Sequence, residues 1–94
     1  MARNTTVTLV AETWTQLTDA DVFTITFQNR GDYHILVKAT TDTSAPSDAT
    51  GAIRYNPGQG ERNVSVADLF PGIANADRIW AYSDRAVDVM VSHA

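Results

Sequence analysis

Hydrophobic and polar residues alternate over short stretches of this chain, and that period predicts β-strands. In residues 22–28, the side chains of Phe23, Ile25 and Phe27 fall on one face, and the intervening residues fall on the other. Because the first set is large and apolar, we expect all three of these side chains to face the core. No stretch of the chain shows a convincing helical period.

The spacing of these stretches predicts two hairpins. Residues 22–28 and 33–39 flank a turn that contains Gly31, and residues 78–82 and 86–91 flank a short polar turn. In the last strand the side chains of one face are all valine, at Val87, Val89 and Val91.

The remaining stretches complete an all-β pattern. Further short strands are predicted at 6–10, 14–17, 51–55 and 62–66. Pro57-Gly58 is typical of a type II turn, and residues 67–72 can hold one helical turn at most before Pro71. We therefore expect one β domain over residues 1–94, a small antiparallel β-sandwich or barrel-like domain of about seven short strands.

Two connections are polar. Residues 40–50 contain no large apolar side chain, so this loop is predicted to be exposed and mobile. Residues 18–21 are predicted to form a turn, because Asp side chains there can bond to their own backbone.

Composition excludes several classes of partner. The net charge is −4, Lys38 is the single lysine, and the six arginines are scattered, so the basic stripe of a nucleic-acid binder is missing. The chain has no apolar run near 18 residues and no apolar segment near residue 1, so neither a membrane helix nor a signal peptide is expected. Without cysteine it has no disulfides and no zinc–cysteine sites.

The residues that could carry chemistry lack the required spacing. His34 and His93 are the only histidines and stand in no metal-binding motif, and Gly58-Gln59-Gly60 precedes no helix. The pairs Asp19/Asp21 and Asp42/Asp48 could offer oxygens to calcium, but turn-forming roles explain them equally. We expect no catalytic residue, no metal and no cofactor, and therefore no enzyme.

Aromatic and apolar residues outside the expected core indicate a binding role. Trp80 is predicted to be buried on a central strand, and Trp14 to be more exposed. Leu69-Phe70-Pro71 places large apolar residues in a connection, where they either cap the core or anchor a contact with another protein. Trp14, Leu69, Phe70 and Pro71 are therefore the candidate interface residues. The five Trp and Tyr residues could alternatively form a glycan-binding platform.

Several short sequence words occur in a familiar order along nearly the whole chain. They are Thr13-Trp14-Thr15-Gln16-Leu17, Gln28-Asn29-x-Gly31, Ala45-Pro46, Gly51-Ala52-Ile53, Pro57-Gly58, Leu69-Phe70-Pro71-Gly72 and the ending Val91-Ser92-His93-Ala94. In this order the chain resembles a family of small structural proteins of tailed phages and prophages.

The resemblance implies a virion component that is assembled in the host cytoplasm. Its expected function is that of a capsid decoration protein that binds the outside of the head and stabilises it, with the major capsid protein or another virion protein as partner. Association with further copies of itself would bury additional surface. The alternatives are a glycan-binding module on the virion surface and a tail or neck connector.

Overall fold

The structure, a computed structural model, describes residues 2–18 and 22–94. The described residues form eight β-strands and one short helix. In chain order these are β1 (Arg3–Thr8), β2 (Thr15–Gln16), β3 (Thr24–Asn29), β4 (Ile35–Thr40), β5 (Ile53–Tyr55), β6 (Gly60–Ser65), α1 (Val66–Leu69), β7 (Arg78–Tyr82) and β8 (Asp88–His93). The all-β prediction is confirmed. Of the predicted turn at 18–21, residues 19–21 lie outside the described part of the chain.

The strands form two antiparallel sheets of four strands each. The first sheet has the order β1-β8-β3-β6, and the second has the order β2-β7-β4-β5. Most consecutive strands therefore alternate between the sheets, and of the described neighbours in sequence only β4 and β5 pair with each other. This order is that of an eight-stranded, double-sheet jelly roll.

Both predicted hairpins are wrong. β3 and β4 lie in different sheets, as do β7 and β8, so in each case the chain crosses the sandwich rather than returning beside itself. A turn sequence indicates that the chain reverses direction, but it does not specify which sheet receives the next strand. The side chain of Asn29 fixes the first crossing, because its Nδ2 donates to the Tyr33 carbonyl (2.8 Å) and its Oδ1 accepts from Gly31 N–H (3.0 Å).

The core lies between the two sheets. The inner strands are β8 and β3 in the first sheet and β7 and β4 in the second. Every second residue of these strands points into the core, including the predicted valine face of β8. Phe27 packs edge-on against Tyr55, with ring centroids 5.0 Å apart. The fully buried apolar side chains include Leu9, Leu17, Ile25, Phe27, Ile35, Val37, Ile79, Val89 and Val91.

Phe23 departs from the predicted core face. Ile25 and Phe27 are buried as expected, but the Phe23 side chain is 90% exposed. The chain bends at Phe23 before β3 begins, and Val22 takes the buried position instead. Alternation holds only while the backbone stays extended, so the bend breaks the period.

The sandwich has two distinct ends. β1 and β3 both begin opposite the last residues of β8, and the first residue of α1 is hydrogen-bonded to Phe23. The first residues of β1, Phe23 and α1 therefore lie at the same end, which we call the helix end. At the turn end lie residues 30–33 and the turn at 56–59. This turn has the predicted type II form, with Gly58 at φ +85° and a hydrogen bond from Gln59 N–H to the Asn56 carbonyl (2.9 Å).

The polar loop after β4 is exposed almost throughout, as predicted, and its mobility stays a prediction. The described residues contain no helix that is long and apolar enough to cross a membrane.

Candidate functional site

The most exposed large apolar side chain of the described residues is Phe23, at the helix end. Its backbone is fixed on both sides. The N–H of Val22 donates to the Asp77 carbonyl (3.0 Å), and the Phe23 carbonyl accepts from Val66 N–H at the start of α1 (2.9 Å). A bulky apolar side chain is thus presented to solvent from a backbone that hydrogen bonds hold in place.

The segment after α1 forms an apolar groove at the same end. Ser65 caps the helix, since its Oγ accepts from Asp68 N–H (3.0 Å), and the Phe70 N–H donates to the Val66 carbonyl (3.0 Å). The chain then turns away at Pro71. The groove has a volume of about 440 Å³ and is lined by Lys38, Thr50, Gly51, Ile53, Leu69, Phe70, Pro71, Gly72 and Ile73.

The candidate residues in this segment occupy different environments. Phe70 is only 6% exposed and belongs to the core, so it caps the space between the sheets. Leu69 is half-buried, and Pro71 is exposed. The surface that another molecule could reach is therefore supplied mainly by Leu69, Pro71 and the half-buried Ile73.

One positive charge lies at the rim of the groove, and it is already paired. The Lys38 ammonium is 3.3 Å from Asp48 Oδ1. A hydrogen bond from the Thr50 backbone, followed by the contact with Lys38, lowers the pKa of the Asp48 carboxyl. The groove is consequently an apolar surface with a neutralised edge.

Trp14 lies elsewhere, on the outer face of the second sheet. Its ring centroid is 5.3 Å from that of Tyr82, at a tilt of 44°. Tyr82 in turn is paired across the strands with Leu36. These three half-buried side chains form a row across the outer face, near the turn end, and we call them the aromatic row. The candidate interface residues predicted from the sequence are thus divided between two surfaces.

Trp80 is buried and lies on an inner strand, as predicted, but it is not part of the core. On β7 the small residue Ala81 and Ile79 face inward, which places Trp80 on the outer face. It is 7% exposed, flanked at paired positions by Gln16 and Lys38, and its Nε1 donates to Thr40 Oγ1 (2.8 Å).

At the turn end, Tyr55 and Glu61 join the two sheets at one edge of the sandwich. The Tyr55 hydroxyl donates to Glu61 Oε2 (3.0 Å). Burial of the ring, and then this hydrogen bond, raise the pKa of Tyr55 far above its usual range. The pair therefore has a structural role, since a hydroxyl held neutral in this way is a poor base or nucleophile.

The other titratable candidates have local partners. Asp42 Oδ1 accepts from Ser44 N–H (2.9 Å), and Asp48 Oδ1 accepts from Thr50 N–H (3.0 Å), so both have the turn-forming roles weighed above. His34 lies 4.5 Å from Tyr33 by ring centroid. In residues 2–18 and 22–94, no group of three or more His, Cys, Asp or Glu residues is placed to hold a metal ion. The pair Asp19/Asp21 lies outside the described residues.

Sequence reasoning missed the two features that define these surfaces. The alternation of residues 22–28 predicts a buried Phe23, and nothing in the sequence pattern marks Tyr82 and Leu36 as neighbours of Trp14. The small residue between two aromatics in Trp80-Ala81-Tyr82 is a signal that could have placed both rings on the outer face. Comparison with known proteins adds no assignment, because no family model, curated protein or solved structure matches this chain.

Proposed function

We propose that this protein is a non-enzymatic structural component of a tailed-phage virion, which binds the outside of the capsid through its helix end and stabilises it. The observation that carries the proposal is Phe23, whose side chain is 90% exposed while its backbone is fixed by two hydrogen bonds. Covering this ring with an apolar surface of a partner would remove it from water, which is favourable, and buried aromatic anchors carry much of the binding energy at interfaces.

The surroundings of Phe23 suit a protein partner. The apolar groove lies at the same end, so an apolar partner could cover the ring together with Leu69 and Pro71. Weak contacts of this kind become effective when many copies bind a repeated lattice. A capsid offers such a lattice, and the protein would join it after synthesis in the host cytoplasm.

Two considerations outside the site support the same reading. The sequence words described above resemble those of small phage structural proteins. In addition, double-sheet jelly rolls occur among viral capsid domains, although they also occur in lectins. The second consideration is an analogy of fold, and it has less weight than the exposed anchor.

The test is binding to particles that were assembled without this protein. Purified wild-type protein should sediment with such particles at a copy number on the order of hundreds, as symmetry requires for a shell lattice. Phe23→Ser should weaken binding about 30-fold or more, since loss of a buried anchor costs ~2 kcal/mol or more.

The matched control is Val10→Ser, which alters the other large exposed apolar residue (64% exposed) at the opposite end of the sandwich. This variant should bind normally. Failure of the wild type to sediment with the particles would refute the proposal. Saturation at about ten copies or fewer would instead identify a tail or neck connector.

The second candidate function is glycan binding by the aromatic row. It is favoured by the Trp14–Tyr82 pair, because half-exposed aromatic rings on an outer sheet face can cover the apolar faces of sugars. Binding of the isolated domain to a glycan array, lost in Trp14→Ala and retained in Phe23→Ser, would support this function over the first.

A further inference from the structure

The outer edge of β1 differs from the other three sheet edges. β2 has two residues and β5 has three, so those edges offer little backbone to pair with. β6 is longer, but it contains a register shift opposite Ile25–Phe27, a left-handed Asn63 (φ 48°) and the charged Glu61 and Arg62. Short strands, bulges and charges are the features by which natural proteins prevent edge pairing.

β1 has none of these features along most of its length. Its six residues, Arg3-Asn4-Thr5-Thr6-Val7-Thr8, pair with β8 in an unbroken register and contain no proline. The single charged side chain is at one end and points across the sandwich, where Arg3 Nη1 donates to the Leu17 carbonyl (2.8 Å). Thr and Val also have high strand propensity.

The register shows which backbone groups face outward. The Leu9 N–H donates to the Val87 carbonyl (2.9 Å), and Leu9 continues the register in which Val7 pairs with Val89. Odd-numbered residues of β1 therefore bond to β8. Since successive residues of a strand point their N–H and C=O groups to opposite sides, Asn4, Thr6 and Thr8 direct theirs to the free edge.

We propose that β1 pairs antiparallel with β1 of a second copy of this chain, about a two-fold axis at Thr6. In this register Thr6 lies opposite Thr6 of the partner copy, and Asn4 lies opposite Thr8. Each of these pairs exchanges two backbone hydrogen bonds. The β1-β8-β3-β6 sheets of the two copies thereby join into one continuous sheet. This dimer does not depend on the proposed function.

The side chains are compatible with this register. Thr–Thr pairs directly across an antiparallel ladder are favourable. Thr5 lies opposite Val7, and Arg3 lies opposite Leu9, so no like charges face each other. A two-fold interface requires such a self-complementary surface, which β1 provides around Thr6.

The test uses charge at the two-fold axis. Thr6 is exposed, so T6K and T6E should fold normally, as circular dichroism would verify. Sedimentation velocity over a concentration series should show a monomer–dimer equilibrium for the wild type. Each variant alone should lose association about tenfold or more, because two like charges then face each other.

An equimolar mixture of T6K and T6E should restore the dimer, and added salt should weaken the mixed dimer. Arg62→Glu is the matched control, since it reverses a charge on the other long edge and should leave wild-type association unchanged. A wild type that is monomeric at every concentration would overturn the proposal. Loss of the dimer in Arg62→Glu, or no restoration on mixing, would place the contact elsewhere.

Discussion

At the turn end of the sandwich, buried polar groups are bonded to one another, whereas at the helix end apolar side chains reach solvent. Asn29 is fully buried at the turn end and uses all of its side-chain donors and its acceptor, on Tyr33, Tyr55 and Gly31. At the helix end, which also carries the apolar groove, Phe23 is exposed on a backbone held by hydrogen bonds.

The difference separates residues that hold the fold from residues available for binding. A polar network that is satisfied inside the protein contributes to a unique structure, and its loss leaves buried groups without partners. An exposed apolar ring contributes little to folding. Substitutions of the buried, hydrogen-bonded residues at the turn end should therefore change the free energy of unfolding, and substitutions of the exposed residues at the helix end should change association.

The largest effect at the turn end is expected for Asn29→Ala. It leaves two carbonyls and one N–H without their partner, and each such group costs ~1–3 kcal/mol. We expect the free energy of unfolding to fall by roughly 3 kcal/mol or more, as measured by urea denaturation.

Gln28→Ala is the control for Asn29→Ala. Gln28 is the exposed neighbour, and its side chain bonds only to the Gly58 carbonyl (3.0 Å) among the bonds described. This variant should lose less than about 1 kcal/mol. Equal stability of the two variants would show that the Asn29 network does not hold the turn end together.

Gly60→Ala should have the next largest effect. A Cβ at this position would collide with the Phe27 carbonyl oxygen, because β6 approaches β3 closely there. The backbone must move, so we expect a loss of about 1–3 kcal/mol. Gly72→Ala has open space around the added methyl group and should cost much less. A thermal melt of both variants tests this, and an unchanged melting temperature for Gly60→Ala would contradict the close approach.

Tyr55→Phe should remove about 1 kcal/mol at neutral pH, by loss of the hydrogen bond to Glu61. The way this stability difference changes with pH is a more specific test of the Tyr55 hydroxyl. The pKa of Tyr55 is raised in the folded protein, whereas an unfolded tyrosine titrates near pH ~10. The stabilisation is thus complete below about pH 10 and is lost as the pH rises above it, because only the unfolded chain then releases the proton.

Denaturation curves on both sides of that pH would test the Tyr55 prediction. The wild type should lose stability more steeply with rising pH than Tyr55→Phe does. If the Tyr55→Phe curve is as steep as that of the wild type, Tyr55 is not the group responsible.

The sequence predicted well where one period continued without interruption. On β8, Val89 and Val91 alternate with more polar residues, and the structure buries them as expected. The helical turn before Pro71 and the type II turn at Pro57-Gly58 also depend on local chemistry, and both occur close to the predicted positions.

The predictions failed where a distant contact decides the structure. Phe23 shares the parity of Phe27, but backbone bonds to Asp77 and Val66 hold a bend that turns it outward. Asn29 is one polar residue in an ordinary turn sequence, and its buried role depends on Tyr55, which lies 26 residues further along the chain. Strand alternation likewise cannot specify which sheet receives a strand.

The smallest effect on stability is expected for Phe23→Ser, and it is the sharpest test of the contrast between the two ends. Exposed side chains outside special features change the free energy of unfolding by only about 0.5 kcal/mol in either direction. The isolated variant should therefore melt at nearly the wild-type temperature, whereas Phe27→Ser, which alters a ring that is 1% exposed, should be strongly destabilised. A large loss of stability in Phe23→Ser would mean that the ring supports the fold, and its role as an exposed anchor would then be excluded.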